Sequence, residues 1–211
     1  MSILNEISLK LQQGNAKAVK ELVQQAIDEG LSAQEILEKG LMAGMNIIGE
    51  KFKNNEIFVP EVLIAARAMN TGTALLKPLL VSGNVQAKGK VVLGTVKGDL
   101  HDIGKNLVRM MMEGKGLEVI DLGIDVPVEK FIETAIQEKA QIIACSALLT
   151  TTMNEMKLVV EAAEKAGIRD QVKIMVGGAP VTDQFRASIG ADLYAPDAAT
   201  AAEVAVQACA Q

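Results

Sequence analysis

The chain has 211 residues, enough for one large domain or two small ones, and 49% of them are hydrophobic, enough to bury a core. A formal net charge of −5, a 2% aromatic content and the lack of tryptophan argue against nucleic-acid binding, which needs phosphate neutralisation or base stacking. Cys145 and Cys209 stand far apart and outside any CxxC pattern, which excludes a zinc cluster and a disulfide framework and fits a reducing cytosol.

No basic stretch followed by an apolar stretch opens the chain, and no apolar run reaches membrane-spanning length. A cytoplasmic protein with no membrane partner is expected. The first eighty or so residues carry helical periodicity. Ile3, Ile7, Leu9 and Leu11 mark one amphipathic stretch, ended by Gly14-Asn15. Ala18, Val19, Leu22, Val23 and Ile27 mark a second, closed by Gly30. Ser32 and Glu35 form a Ser-x-x-Glu capping pattern ahead of Ile36, Leu37 and Leu41. Pro60 suits the first turn of a fourth helix, whose apolar positions Leu63, Ala66, Met69, Leu75 and Leu76 run to Pro78. Four helices with short links predict an antiparallel bundle over residues 1–85.

Val81 to Gly89 is small, polar and glycine-containing, and reads as a linker. Beyond it the period changes. Strands are predicted at Lys90–Val96, Leu117–Leu122, Gln141–Ser146, Val172–Val176 and Ala191–Ala195. Helices are predicted from about Gly104, from Pro127, from about Thr152 and from Ala198. Strands alternating with helices imply, for residues 90–211, a parallel sheet covered on both faces, with the doubly wound order of a flavodoxin-like α/β domain. Sites in such sheets lie at the carboxyl ends of the strands. That rule selects the loops Lys97–Gly104, Ala147–Thr152, Gly177–Val181 and Pro196–Ala198.

The single histidine of the chain, His101, lies in the first of these loops between Asp99 and Asp102. Imidazole ligates metals through one nitrogen, and a carboxylate on the other fixes its tautomer; Asp99 is placed to do so. One histidine cannot build a zinc site, and suffices as a ligand only where a tetrapyrrole-type ring brings the rest. Taken alone, Asp-x-His is better read as a solvated loop histidine beside a helix-capping aspartate. The second loop offers the hydroxyls of Ser146, Thr150, Thr151 and Thr152, of which Thr151 or Thr152 could cap the next helix. The third offers Gly177-Gly178, explained equally by a tight turn or by a closely approaching ligand. No Gly-x-Gly-x-x-Gly and no Walker lysine pattern is present, which removes dinucleotide and P-loop readings.

Taken together these segments resemble a known family. Gly98-Asp99-Leu100-His101-Asp102-Ile103-Gly104 is similar to the D-x-H-x-x-G signature of cobalamin-binding domains. Ser146-Ala147-Leu148-Leu149-Thr150 resembles their S-x-L-x-T segment, and Gly177-Gly178-Ala179-Pro180 their Gly-Gly turn. Gly49-Glu50-Lys51-Phe52 and Phe58-Val59-Pro60-Glu61 resemble the helical cap that precedes such domains in methionine synthase and in methanogen corrinoid proteins. The resemblance spans nearly the whole chain. It implies a small corrinoid subunit of a methyltransferase system, cycling its cobalt between cob(I)alamin and methylcobalamin.

On that resemblance His101 is the metal ligand, and Asp99 and Thr152 continue a hydrogen-bonded relay from it. Gly98, Asp102, Ile103, Leu148, Ser146 and Thr150 contact the cofactor, while Gly104, Gly177 and Gly178 leave room for its displaced benzimidazole tail. Phe58, Val62, Leu63 and Met69 are the cap residues expected to shield the methyl group. The implied partners are a substrate-specific methyltransferase, an acceptor methyltransferase acting on a tetrahydrofolate or thiol, and a reductive activase. The chain itself is then a methyl carrier, not a complete enzyme, with residues 81–89 as the hinge of a moving cap. The alternatives are the cobalamin subunit of a radical mutase, a cobalamin-dependent regulator, and a cofactor-free flavodoxin-like signalling module.

Overall fold

The computed structural model describes residues 2–82 and 87–210. It falls into two compact units, one helical (residues 1–86 together with 114–116) and one built on a sheet (residues 87–113 and 117–211).

In the helical unit each start is set by a local polar side chain. The Ser2 hydroxyl accepts from the Asn5 amide to open α1 (Ile3–Gln12), and the Asn15 side chain accepts from the Ala18 amide to open α2 (Ala16–Asp28). Ser32 caps α3 (Ala33–Glu35), after which the helical backbone runs on through a π-helical segment, Ile36–Met42, into α4 (Ala43–Lys53). The Glu35 carboxylate pairs with Lys39 at 2.8 Å, so only the serine half of the capping pattern forms. Before α5 (Val59–Ser82), the Glu61 carboxylate accepts from the Phe58 amide at 3.0 Å. The apolar stripes meet inside: Ile7, Leu11, Val19, Val23, Ile36, Leu41, Val62 and Leu76 are fully buried. Burying a side chain of this kind contributes about 1.5–3 kcal/mol, the main source of the unit's stability.

Two expectations change here. Helix α5 passes through Pro78 and ends at Ser82. A proline removes one backbone hydrogen bond, to the carbonyl four residues earlier, and in this last stretch the helix tolerates that loss. The proposed linker loses Val81 and Ser82 to that helix, and its residues 83–86 lie outside the described residues.

The second unit runs β1 (Lys90–Thr95), α6 (Ile103–Gly114), β2 (Glu118–Asp121), α7 (Val128–Glu138), β3 (Ile142–Ser146), α8 (Asn154–Lys165), β4 (Lys173–Gly177), α9 (Asp183–Ser188), β5 (Leu193–Tyr194) and α10 (Ala198–Cys209). All strand pairs are parallel, in the order β2-β1-β3-β4-β5. This is the flavodoxin-like winding. Parallel strands covered on both faces need continuous apolar runs, which is why Val91, Val92, Ile142, Ile143, Ile174 and Val176 are fully buried. Val92, Ile143, Ile174 and Val176 meet Phe131 of α7 and Met156 of α8 in one core. Gly94 is a glycine because the Phe131 ring occupies the place of a Cβ, 2.8 Å from where it would lie.

Helix α9 was not anticipated: six residues are too few to show a period, and its one signal is Thr182, whose hydroxyl caps the Phe185 amide. Helix α8 begins at Asn154, two residues later than expected, and is not capped by a threonine. The winding reverses direction between β1 and β3. In doubly wound sheets the ligand crevice lies at this reversal, beyond the carboxyl ends of the strands.

Candidate functional site

Asp99 stands in the β1–α6 loop at that crevice and has no exposed surface. Its Oδ1 accepts from the His101 amide at 3.1 Å and from the His101 Nδ1 at 2.9 Å. Its Oδ2 accepts from the Leu148 amide at 2.8 Å, the Leu149 amide at 3.1 Å and the Thr152 hydroxyl at 2.8 Å. Burial by itself would push this carboxyl up. The hydrogen bonds from the His101 ring and the Leu148, His101 and Leu149 amides outweigh it and hold the group well below the usual carboxylate range. Asp99 is therefore a buried anion, stitching the loop after β1 to the loop after β3.

A carboxylate has no proton to give, so His101 must carry its proton on Nδ1. In the neutral ring Nε2 then carries the lone pair, on a side chain 52% exposed. Thr152 sits ahead of α8 with its hydroxyl within 2.9 Å of the Leu149 carbonyl and 2.8 Å of Asp99. The single hydroxyl proton goes to the carboxylate, the stronger acceptor. Asp99, His101 and Thr152 are thus brought together as the sequence suggested, with Thr152 bonded through Asp99 and not as a helix cap.

Two residues that sequence reasoning missed brace the same loop. Thr95, fully buried at the end of β1, donates its hydroxyl to the His101 carbonyl at 2.9 Å. Asp125, in the β2–α7 loop with φ of +52°, donates its amide to the Asp99 carbonyl at 3.0 Å and accepts from the Gly98 amide at 2.7 Å. A threonine ending an apolar strand was a usable signal for the first. The second depends on a left-handed backbone that the sequence does not announce.

The remaining expected residues line the same end of the sheet. Ser146 ends β3, and neither its hydroxyl nor that of Thr150 is hydrogen-bonded to another described residue. Gly178 has φ of +133°, and a Cβ there would strike the Ala147 backbone, so its turn demands glycine. At Gly177 a Cβ would meet only the Ala195 carbonyl, at 3.8 Å. Gly104 differs again: it lies in α6 with nothing within 4 Å of a would-be Cβ, so the protein itself gives no reason for a glycine.

Leu100, Ile103, Leu148 and Leu149 are all exposed, Ile103 by 74%, and Ile124 beside Asp125 is exposed too. Exposed apolar side chains grouped around one free nitrogen make a surface suited to a flat, largely apolar ring. Asp102 is exposed, with its carboxylate accepting from the Asn106 side chain at 3.0 Å. Of the apolar residues singled out in the helical unit, Phe58 and Leu63 are exposed, while Val62 and Met69 are buried.

A free imidazole nitrogen, a rim of exposed apolar side chains, an unexplained glycine in the following helix and two unengaged hydroxyls fit a corrinoid. Among the described residues no three His, Cys, Asp or Glu side chains gather as a ligand set for a bare metal ion. No helix among the described residues is long and apolar enough to cross a membrane.

Comparison with known proteins gives the same direction. A family model described as B12 binding domain matches residues 89–206, and a second of that description matches residues 3–77. The chain is 48% identical over 180 residues to trimethylamine corrinoid protein 1 of Methanosarcina acetivorans, covering 84% of this chain and 83% of that one. It is 41% identical over 208 residues to a corrinoid protein of Desulfitobacterium hafniense, covering 97% and 96%. Among solved structures it resembles a chain of the methanol:cobalamin methyltransferase complex of Methanosarcina barkeri, with a TM-score of 0.89 at 32% identity over 99% of this chain and 80% of that one.

Proposed function

Because the chain belongs to the B12-binding corrinoid protein family, we propose that it carries methyl groups on a cobalamin whose cobalt His101 would hold. The observation that carries this reading is the bond between Asp99 and His101 Nδ1, which leaves Nε2 as the nitrogen available to a ligand, on an exposed side chain. The chemistry of methyl uptake and release belongs to the cofactor's cobalt, a strong nucleophile when fully reduced.

The chain's own residues bind and orient. His101 would supply one ring nitrogen to the cobalt, and Asp99 holds that ring's tautomer and orientation. Thr152 donates to the same carboxylate and disperses its charge. The Asp99–His101 pair would hold a proton at His101 Nδ1. Gly98 and Asp102 flank the ligand loop, and Ile103 and Leu148 offer apolar surface to the ring. Ser146 and Thr150 have hydroxyls free for the polar groups of the cofactor's tail, and Gly104 and Gly177 leave space for it, whereas the expected role of Gly178 changes: the Ala147 backbone fills the place of its Cβ, so its glycine serves the turn.

A carrier of this kind works between partners. One is a substrate-specific methyltransferase that presents the methyl donor, a reading supported by the relative found in a methyltransferase complex. The others are an acceptor methyltransferase using a tetrahydrofolate or thiol, and a reductive activase that restores over-oxidised cobalt. The working compartment is the cytoplasm. The test is the absorption spectrum of the protein reconstituted with cobalamin, compared with that of His101→Ala. Wild type is expected to show the benzimidazole displaced and a histidine in its place, and the variant to lack that ligand. Identical spectra, or no binding by wild type, would sink the proposal.

A further inference from the structure

Helix α6 carries a feature that the ligand set does not use. Lys105 lies in its first turn and is 3% exposed. A cation there opposes the helix dipole, and burial strips it of water, so two effects disfavour it. What offsets them is Asp121 at the end of β2, whose Oδ1 and Oδ2 each accept from Lys105 Nζ at 2.6 Å. Arg109 adds a bond to Asp121 Oδ2 at 3.0 Å. A buried ion pair is a weak source of stability compared with apolar residues of the same volume, and its best-attested use is to fix register.

Both ends of this pair lead to His101. From Asp121, Oδ1 accepts from the Gly123 amide at 2.9 Å, the Gly123 carbonyl accepts from the Thr95 amide at 2.9 Å, and the Thr95 hydroxyl donates to the His101 carbonyl at 2.9 Å. From Lys105, Nζ donates to Asn106 Oδ1 at 2.9 Å, and Asn106 Nδ2 donates to Asp102, the residue after His101, at 3.0 Å. The ion pair therefore ties the first turn of α6 to the end of β2, and the ligand loop is suspended between those two points.

We infer that Lys105 and Asp121 are positioning residues that set the height and orientation of His101 toward the cobalt. The inference rests on the reading of His101 as lower ligand, and the test separates the two. His101 is the chain's one histidine. Untagged protein grown on ¹⁵N-histidine therefore carries the label at a single residue, and the cobalt(II) form shows in its electron paramagnetic resonance whether that nitrogen is bound. The variant is Lys105→Met/Asp121→Leu, which replaces the pair by apolar side chains of similar volume.

The double variant is expected to fold, melting somewhat lower than wild type because Arg109 and the Gly123 amide lose Asp121, and to bind cobalamin. Its ¹⁵N splitting should fall below the wild-type intensity, because about a tenfold weaker coordination, 1.4 kcal/mol, lowers the bound fraction. Its cofactor-free form should show a broadened or doubled imidazole ¹⁵N signal. Lys105→Gln, which leaves Asp121 its bonds from Arg109 and Gly123, is expected to shift the splitting in the same direction by less, and it is the deciding variant if the double one does not fold. Full wild-type splitting in a folded variant overturns the positioning role and leaves His101 as ligand. No ¹⁵N splitting in wild type overturns the ligand reading, and this inference with it.

Discussion

Replacing Asp99 by asparagine tests the site at its centre. All five contacts of the carboxylate are donors: two amides and a hydroxyl on Oδ2, one amide and the imidazole on Oδ1. An amide side chain can accept on one side only. With its oxygen toward Leu148 and Leu149, its NH₂ faces the His101 amide, which cannot turn away, and the His101 ring, which can. With its oxygen toward His101, the NH₂ confronts two backbone amides that cannot turn away. The first orientation has one unavoidable clash and the second has two, so the first wins. It then pays His101 to move its proton from Nδ1 to Nε2 and accept from the new NH₂.

Asp99→Asn thus loses the charge-assisted part of several bonds and leaves one buried amide unpaired. At about 1.5–3 kcal/mol for a bond to a charged group and 1–3 kcal/mol for an orphaned donor, the net cost is about 3 kcal/mol, or roughly 10 °C in Tm. The tautomer reversal blocks the nitrogen that faces solvent. Both effects are read without cofactor: urea unfolding gives the stability, and long-range ¹H–¹⁵N correlation of the single histidine gives the tautomer. Wild type should show the Nδ1–H form and Asp99→Asn the Nε2–H form. The same tautomer in both proteins, with stabilities within about 0.5 kcal/mol, would refute the reasoning.

Other outcomes follow from the same geometry. Thr152→Val should cost about 1.5–3 kcal/mol in urea unfolding, the worth of one hydrogen bond to a charged group, and Thr152→Ser should restore most of it because Asp99 needs only the hydroxyl. Gly104→Ala should raise cofactor-free stability by up to about 1 kcal/mol through helix propensity yet weaken cobalamin binding in a titration; unchanged binding would show that the open space there serves no ligand. Asp99 has its folded pKa depressed, so its contribution is full above the unfolded value of about 3.9 and is lost as pH falls through the folded one. The stability gap between wild type and Asp99→Asn should accordingly narrow below pH 4 in acid-unfolding curves. Cys145, whose thiol burial pushes up to about 12, should resist alkylation in the folded protein and react only on unfolding, as followed by mass spectrometry.

Much of this was legible in the sequence for definite reasons. Continuous apolar runs such as Val91–Leu93 and Ile142–Cys145 can only be strands buried on both faces, and their alternation with amphipathic helices leaves few windings. Once the sheet is wound, chain order alone puts His101 and Thr152 at neighbouring strand ends. What escaped has equally definite reasons. The π-helical segment Ile36–Met42 keeps an ordinary helical apolar pattern, so nothing in composition marks it. Helix α9 is too short to have a period, and Pro78 was read as a stop although a proline removes only one bond. In the site, Lys105 and Asp121 are sixteen positions apart and polar, which on a sequence reads as two solvated charges; only the fold buries one against the other.

The deeper reason that the ligand residue was easier to find than its support lies in where the restraint comes from. Three of the five donors on Asp99 are backbone amides, and backbone amides are the same whatever residue supplies them. Leu148 and Leu149 therefore hold the carboxylate in a way that no side-chain motif records, while displaying their own side chains as apolar surface. The reach of each loop is what matters, and it is set by the adjacent, parallel β1 and β3. A substitution of Leu148 or Leu149 by another apolar residue should consequently leave the Asp99 network intact and alter only the rim. Insertion of one residue between Ala147 and Leu148 should displace both amides, free Asp99 and cost as much as Asp99→Asn, while every residue of the recognisable motifs is still present. Urea unfolding of the two variants compares the predictions directly. Equal tolerance of both changes would show that the carboxylate is held by its side-chain partners alone.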